Sequence, residues 1–137
     1  MMCTTRRTAA CLNADRLPTP NGEDHSTAQD QVRRAETALR NPTLEAVTFS
    51  RRRVVAETAD RRSYAWSNTN KLLGAPGALG MKTGYTRAAG YSLAFAADRK
   101  GRRLVGVILG ETIPSRCFQT AGRLMDWATE AAATGQR

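Results

Sequence analysis

Histidine is almost absent from these 137 residues, His25 being the only one. The three cysteines, Cys3, Cys11 and Cys117, are odd in number and widely spaced, with no Cys-x-x-Cys pair. That excludes the usual zinc clusters and a disulfide framework, so neither a metal nor a cofactor is expected. No apolar run approaches the roughly 20 residues of a membrane span. Met1 to Ala10 lacks the apolar core of a secretory signal, so the chain as written is expected to have no export route. Aromatic residues are scarce at 6%. This scarcity bears on the net charge of +9, from 21 basic against 12 acidic residues. The arginines fall in short runs, Arg6-Arg7, Arg33-Arg34, Arg51-Arg52-Arg53, Arg61-Arg62 and Arg102-Arg103, with few rings between them on which bases would stack. No nucleic acid is therefore expected as a partner. A basic nucleic-acid-binding protein stays as the reading from another class, and steep loss of affinity with salt would be its mark.

Residues 1–25 are polar, basic and broken by Pro18, Pro20 and Gly22, which predicts a loop or disordered segment; 26–137 form the remainder. Ser26 with Gln29 makes a capping box. Ala28, Val32, Ala35 and Leu39 then share one helical face until Asn41-Pro42 stops the helix. His25 before this cap has no second ligand at helical spacing and is read as structural. Leu44 to Phe49 and Arg53 to Glu57 carry β-branched residues and are expected to be short strands. Trp66 is expected to pack at a loop edge beside Asn68-Thr69-Asn70, a cluster that favours turns and caps. Leu79 to Thr86 reads as a strand carrying Lys82. Leu93 to Asp98 and Arg103 to Leu109, joined by Arg99-Lys100-Gly101-Arg102, read as an antiparallel hairpin. After Pro114 an apolar stripe of Cys117, Phe118, Ala121, Leu124, Met125 and Ala128 predicts a helix, with Phe118, Leu124 and Met125 packed on the sheet. The class is α+β: an antiparallel three-stranded meander covered by a C-terminal helix.

The stretch from 66 to 110 carries the chemistry. Asn68-Thr69-Asn70-Lys71-Leu72-Leu73 is followed by Lys82-Thr83-Gly84, then by Tyr85-Thr86 and Ala89-Gly90-Tyr91-Ser92-Leu93. A lone Lys-Thr-Gly is weak evidence, but this setting resembles the serine-type D-alanyl-D-alanine carboxypeptidases among the penicillin-binding proteins. Two fainter matches agree. Leu12-Asn13-Ala14-Asp15-Arg16-Leu17-Pro18 is similar to that family's Asn-x-x-Gly-Leu-Pro segment, with Arg16 in place of glycine. His25-Ser26-Thr27-Ala28 with Asp30 is similar to its His-x-Ser-x-x-Asp segment, one residue shorter.

The resemblance implies a partial penicillin-binding-protein/β-lactamase-like, transpeptidase-like fold, with the family's extracytoplasmic or periplasmic location. It also implies the removal of a terminal D-alanine from a peptidoglycan peptide ending in D-Ala-D-Ala through a serine acyl-enzyme, with β-lactams as substrate mimics. Lys82 would act as the catalytic lysine, and the backbone N–H of Tyr85 as an oxyanion donor. Thr83, Gly84 and Arg116 would bind the substrate, with Thr83 and Arg116 on its carboxylate. The family's other two signatures are Ser-x-x-Lys and Ser-x-Asn. Ser26, Ser50, Ser63, Ser67, Ser92 and Ser115 have no lysine three residues on and no asparagine two residues on. The chain is therefore expected to be the C-terminal part of such an enzyme, inactive alone and missing an N-terminal half. The alternative is a non-catalytic muropeptide- or penicillin-recognition module that uses Lys82, Thr83 and Arg116 as a carboxylate clamp. In the family fold the strand Leu104 to Leu109 pairs with an N-terminal strand, so here it is expected to be an open, apolar edge.

Overall fold

Thr27 starts the first helix. In the computed structural model, which describes residues 25–133, the extended Thr27 accepts a hydrogen bond at Oγ1 from the Asp30 N–H at 3.1 Å. The same hydroxyl donates to Asp30 Oδ2 at 2.9 Å. The cap thus falls one residue beyond the expected Ser26–Gln29 pair, because Thr27 with Asp30 offers the same chemistry in the next register. Ser26 accepts instead from Gln31 Nε2 at 2.7 Å. α1, Ala28–Leu39, buries Ala35 and Leu39 as its apolar face requires. The readings made for residues 1–24, the Leu12-to-Pro18 segment among them, lie outside the described residues.

Leu44 to Phe49 is helical, not a strand. Asn41 accepts from the N–H groups of Thr43 and Leu44, and Pro42 occupies the first turn, so the dipeptide that stops α1 also starts α2, Pro42–Phe49. The expected second strand does form. β1, Arg52–Val55, pairs antiparallel with β2, Tyr64–Ser67, matching Arg53 with Trp66. Trp66 is thus a strand residue, 55% exposed and stacked on Tyr64 at 5.7 Å, and not a packed ring at a loop edge.

The main sheet is built on β5, Gly90–Arg99. β3, Ala78–Gly80, and β4, Thr83–Thr86, run along one edge of it, and β6, Arg102–Glu111, along the other, all antiparallel. The expected single strand over Leu79 to Thr86 is therefore interrupted at Met81, whose φ is 102°. The pairings Gly80 with Ala96 and Thr83 with Leu93 nevertheless keep one register across the break. Lys100 and Gly101, with φ of 48° and 71°, form the two-residue turn between β5 and β6. On β6, Arg103 grips Asp98 through two bonds of 2.9 and 2.8 Å and reaches Glu45 of α2 at 2.9 Å.

Odd-numbered residues of β5 face α3, Pro114–Ala133. Leu93, Phe95 and Ala97 form the core with Leu72, Cys117, Ala121 and Met125, and Tyr91, Ile108 and Phe118 pack around it. Leu124, expected in this layer, is 41% exposed, because the buried line runs through Cys117, Ala121 and Met125 at intervals of four. The alternate residues of β5 point to the other side of the sheet, which α1 covers. Among the described residues the outer edge of β6 has no strand partner. No described helix is long and apolar enough to cross a membrane.

Candidate active site

Lys82 joins β3 to β4. Its N–H donates to Ala94 O at 3.2 Å and its carbonyl accepts from Ala94 N at 2.9 Å, so both of its peptide groups face β5. Antiparallel ladders alternate, which turns the N–H and C=O of Thr83 and of Tyr85 outward. β4 pairs only with β5 among the described residues, so these groups line an open edge. The Lys82 ammonium donates to one of them, the Thr83 carbonyl. Side chains alternate as well. Lys82 and Gly84 take one face of the strand, while Thr83 and Tyr85 take the other, where Tyr85 stacks on Tyr91 at 4.4 Å. A Cβ built on Gly84 would meet nothing within 4 Å.

The loop before this strand carries the Asn68-Thr69-Asn70 turn cluster. Here it is tied down at each asparagine. Asn68 Nδ2 donates to Thr48 O and Ser50 O at 3.1 Å each, the Asn70 N–H donates to Asn68 Oδ1 at 2.9 Å, and the Leu72 N–H donates to Asn70 Oδ1 at 3.0 Å. Asn70 is 2% exposed, and Leu72 and Leu73 are buried behind it. Between the two asparagines, Thr69 places its hydroxyl 2.8 Å from that of Thr83. Thr69 is the site neighbour that sequence reasoning missed. A contact spanning fourteen residues leaves no periodic signal, though its place between two capping residues could have drawn notice.

Arg116 stands apart from the strand. Its Nη1 lies 3.5 Å from Glu111 Oε1. Glu111 is paired with Tyr91, and Tyr91 with Tyr85, so the backbone of Glu111 lies two strand spacings, about 10 Å, across the sheet from that of Tyr85. Structure thus gathers Lys82, Thr83, Gly84 and Tyr85 on one strand, with Arg116 at the same end of the sheet but two strands over. Burial alone would raise the Glu111 carboxyl. Hydrogen bonds from the Ile113 and Thr112 N–H groups, the Arg116 charge and the Thr112 hydroxyl outweigh it and hold the group below its ordinary value. A carboxyl lowered in the folded state adds stability above its unfolded pKa, and that stability is lost as pH falls through the folded value. Glu111→Gln is therefore expected to flatten the acid limb of stability against pH, as read by denaturant unfolding at neutral and acid pH. An acid limb identical to wild type would show that Glu111 contributes nothing to it.

Cys117 is buried against the Tyr91 carbonyl, and burial pushes its thiol up, so it serves as core. Among the described residues no three His, Cys, Asp or Glu side chains are grouped to hold a metal. An open groove of about 820 Å³ between α2 and the β1–β2 hairpin, lined by Val47, Arg52 and Trp66, shares only Asn68 with the loop and none of the Lys82 strand.

The family model described as D-alanyl-D-alanine carboxypeptidase matches residues 3–112. The chain belongs to the D-alanyl-D-alanine carboxypeptidase family. It is 37% identical over 102 residues to the D-alanyl-D-alanine carboxypeptidase of Streptomyces sp. strain K15, covering 70% of this chain and 35% of that one. With the D-alanyl-D-alanine carboxypeptidase DacB2 of Mycobacterium tuberculosis it shares 34% over 115 residues, which is 81% of this chain and 39% of the relative. The fold agrees. The crystal structure of the Streptomyces K15 DD-transpeptidase superposes with a TM-score of 0.73 at 33% identity, over 78% of this chain and 43% of that one. The D-alanyl-D-alanine carboxypeptidase structure from M. tuberculosis gives 0.71 at 33%, over 82% and 43%. The chain thus spans little more than a third of the length of these curated carboxypeptidase relatives.

Proposed function

We propose that this chain supplies the substrate-binding strand of a serine-type D-alanyl-D-alanine carboxypeptidase and performs no acyl transfer by itself. The observation that carries the reading is the open edge of β4. A peptide laid antiparallel along it would meet the outward N–H and C=O of Thr83 and Tyr85 as an added strand, with Gly84 leaving the adjoining surface free of a side chain. The ammonium of Lys82 adds positive potential beside this edge, and the Thr83 hydroxyl would hold the terminal carboxylate of a peptidoglycan peptide ending in D-Ala-D-Ala. The outward Tyr85 N–H is one donor for the oxyanion that develops when a serine attacks the penultimate D-alanine carbonyl. Expulsion of the terminal D-alanine leaves an acyl-enzyme, which water hydrolyses.

The attacking serine and its lysine are not among these 137 residues, since no Ser-x-x-Lys occurs in them. They would come from a complementing N-terminal half. Arg116 is assigned a supporting charge near the substrate carboxylate. The location that goes with this role is extracytoplasmic, where β-lactams would compete for the same edge.

The test mixes the folded chain with a separately produced family N-terminal half and a fluorescent penicillin, then reads intact mass and gel fluorescence. The adduct is expected on the half that carries the serine, only when both are present, and it should fall by at least about a hundredfold with Lys82→Ala. A correctly folded mixture that gains no adduct would refute the split-enzyme reading. Retained binding of a D-Ala-D-Ala peptide by this chain alone would then favour a recognition module. An adduct on this chain by itself would refute both.

A further inference from the structure

We propose that Thr69 is the positioning residue for the Thr83 hydroxyl, donating its proton to Thr83 Oγ1 so that the Thr83 proton is turned outward to the carboxylate of a bound peptide. This rests on the carboxylate site assigned above and adds to it a second residue, from a different segment of the chain. The two hydroxyl oxygens are 2.8 Å apart and either can be the donor in the free protein. Each has one proton and two acceptor sites, so within such a pair only the acceptor keeps its proton for a third group. A carboxylate accepts and cannot donate. Once it takes the Thr83 proton, only the arrangement in which Thr69 donates to Thr83 remains. The chained bonds polarise one another, making Thr83 a stronger donor than a lone threonine would be.

The loop is built to hold this hydroxyl still. Asn68 is fixed by Thr48 O, by Ser50 O and through its N–H by Arg51 O at 2.8 Å, while Asn70 is buried and bonded to the Leu72 N–H. Thr69 therefore sits between two anchored residues, with its side chain turned to β4. The hydroxyl pair itself is exposed. An exposed hydrogen bond contributes little to folding, so its removal should appear in ligand recognition and not in the unfolding midpoint.

The experiment uses the full chain and its Thr69→Val, Thr69→Ser, Thr83→Val and doubly substituted Val variants. Each is titrated by NMR with an N-acetylated Lys-D-Ala-D-Ala peptide and with the same peptide as its C-terminal amide. Thr69→Val is expected to weaken the free acid about tenfold and to leave the amide unchanged. Thr69→Ser should bind as wild type does, and the double variant should bind no worse than Thr83→Val, because the two hydroxyls act as one unit. Equal loss for acid and amide, or no loss in Thr69→Val, would overturn the proposal. Should the wild type fail to distinguish acid from amide, the carboxylate site itself is refuted, and three-bond couplings across χ1 of Thr83 decide the rest. One rotamer in wild type and Thr69→Ser with averaging in Thr69→Val supports positioning by Thr69; identical couplings in all three overturn it.

Discussion

Gly106→Val is expected to destabilise the sheet severely. A Cβ at Gly106 would lie 2.3, 2.7 and 2.8 Å from Cζ, Cε2 and Cε1 of Phe95, the residue paired with it across β5 and β6. The ring cannot move aside, because Phe95 is 3% exposed under the layer formed by Ala121 and Met125 of α3. Overpacking a filled core costs about 1 to 3 kcal/mol for small additions, and a branched side chain aimed into a ring lies at or beyond the upper end. A domain of this size holds only about 5 to 15 kcal/mol in total, so much of its stability would be lost. Gly106→Ala should show a smaller loss, and Phe95→Leu combined with it should recover part by giving up ring volume. Urea unfolding of the three variants measures this. A Gly106→Val midpoint equal to wild type would mean that the Phe95 ring does not lie over Gly106.

Gly84→Leu is expected to do the opposite, weakening peptide recognition while leaving the unfolding midpoint in place. Nothing within 4 Å opposes a side chain there, and a strand accepts leucine at least as well as glycine. The added side chain would cover the surface next to Lys82 on the free edge, where a ligand strand would lie, and binding should fall by more than about tenfold. Gly80, four residues earlier in the same run, supplies the control. Its φ is 87° and a Cβ there would lie 2.2 Å from Thr48 O, so Gly80→Ala should lower the unfolding midpoint even without ligand. Calorimetric or NMR titration beside urea unfolding separates the two losses. Unchanged peptide affinity in Gly84→Leu would remove the free edge of β4 as the binding surface.

Where the chain announces its own structure, it does so through local chemistry. Two apolar runs joined by Arg99-Lys100-Gly101-Arg102 mark the β5–β6 hairpin. The spacing of Ala35 and Leu39 marked the buried face of α1, and Pro114 with Cys117, Ala121 and Met125 marked α3. The misreadings share a cause: one signal served two roles, or the partner was distant. Asn41-Pro42 both ends α1 and caps α2, so the residues after it continue as helix although their β-branched side chains suit a strand. Trp66 gains its strand only from Arg53, thirteen residues back across a loop. Leu124 falls within a broad apolar stripe, yet the sheet touches a narrower line. The Lys82-Thr83-Gly84 strand was legible by resemblance and by the residues around it. Its tie to Thr69 was not, because a hydroxyl pair between a loop and a strand fourteen residues on has no pattern along the chain.

The Thr48 carbonyl, at the end of α2, meets the site twice. It accepts from Asn68, which steadies the loop bearing Thr69, and it lies against Gly80, two residues before Lys82. One peptide group is thus the common pivot for both segments that face each other across the Thr69–Thr83 contact. A shift in the last turn of α2 would therefore be felt in both segments at once, in the loop through the Asn68 bond and in β3 through the close approach at Gly80. Substitutions in α2 that displace Thr48 thereby reach both segments without changing Thr69, Thr83 or any residue between them.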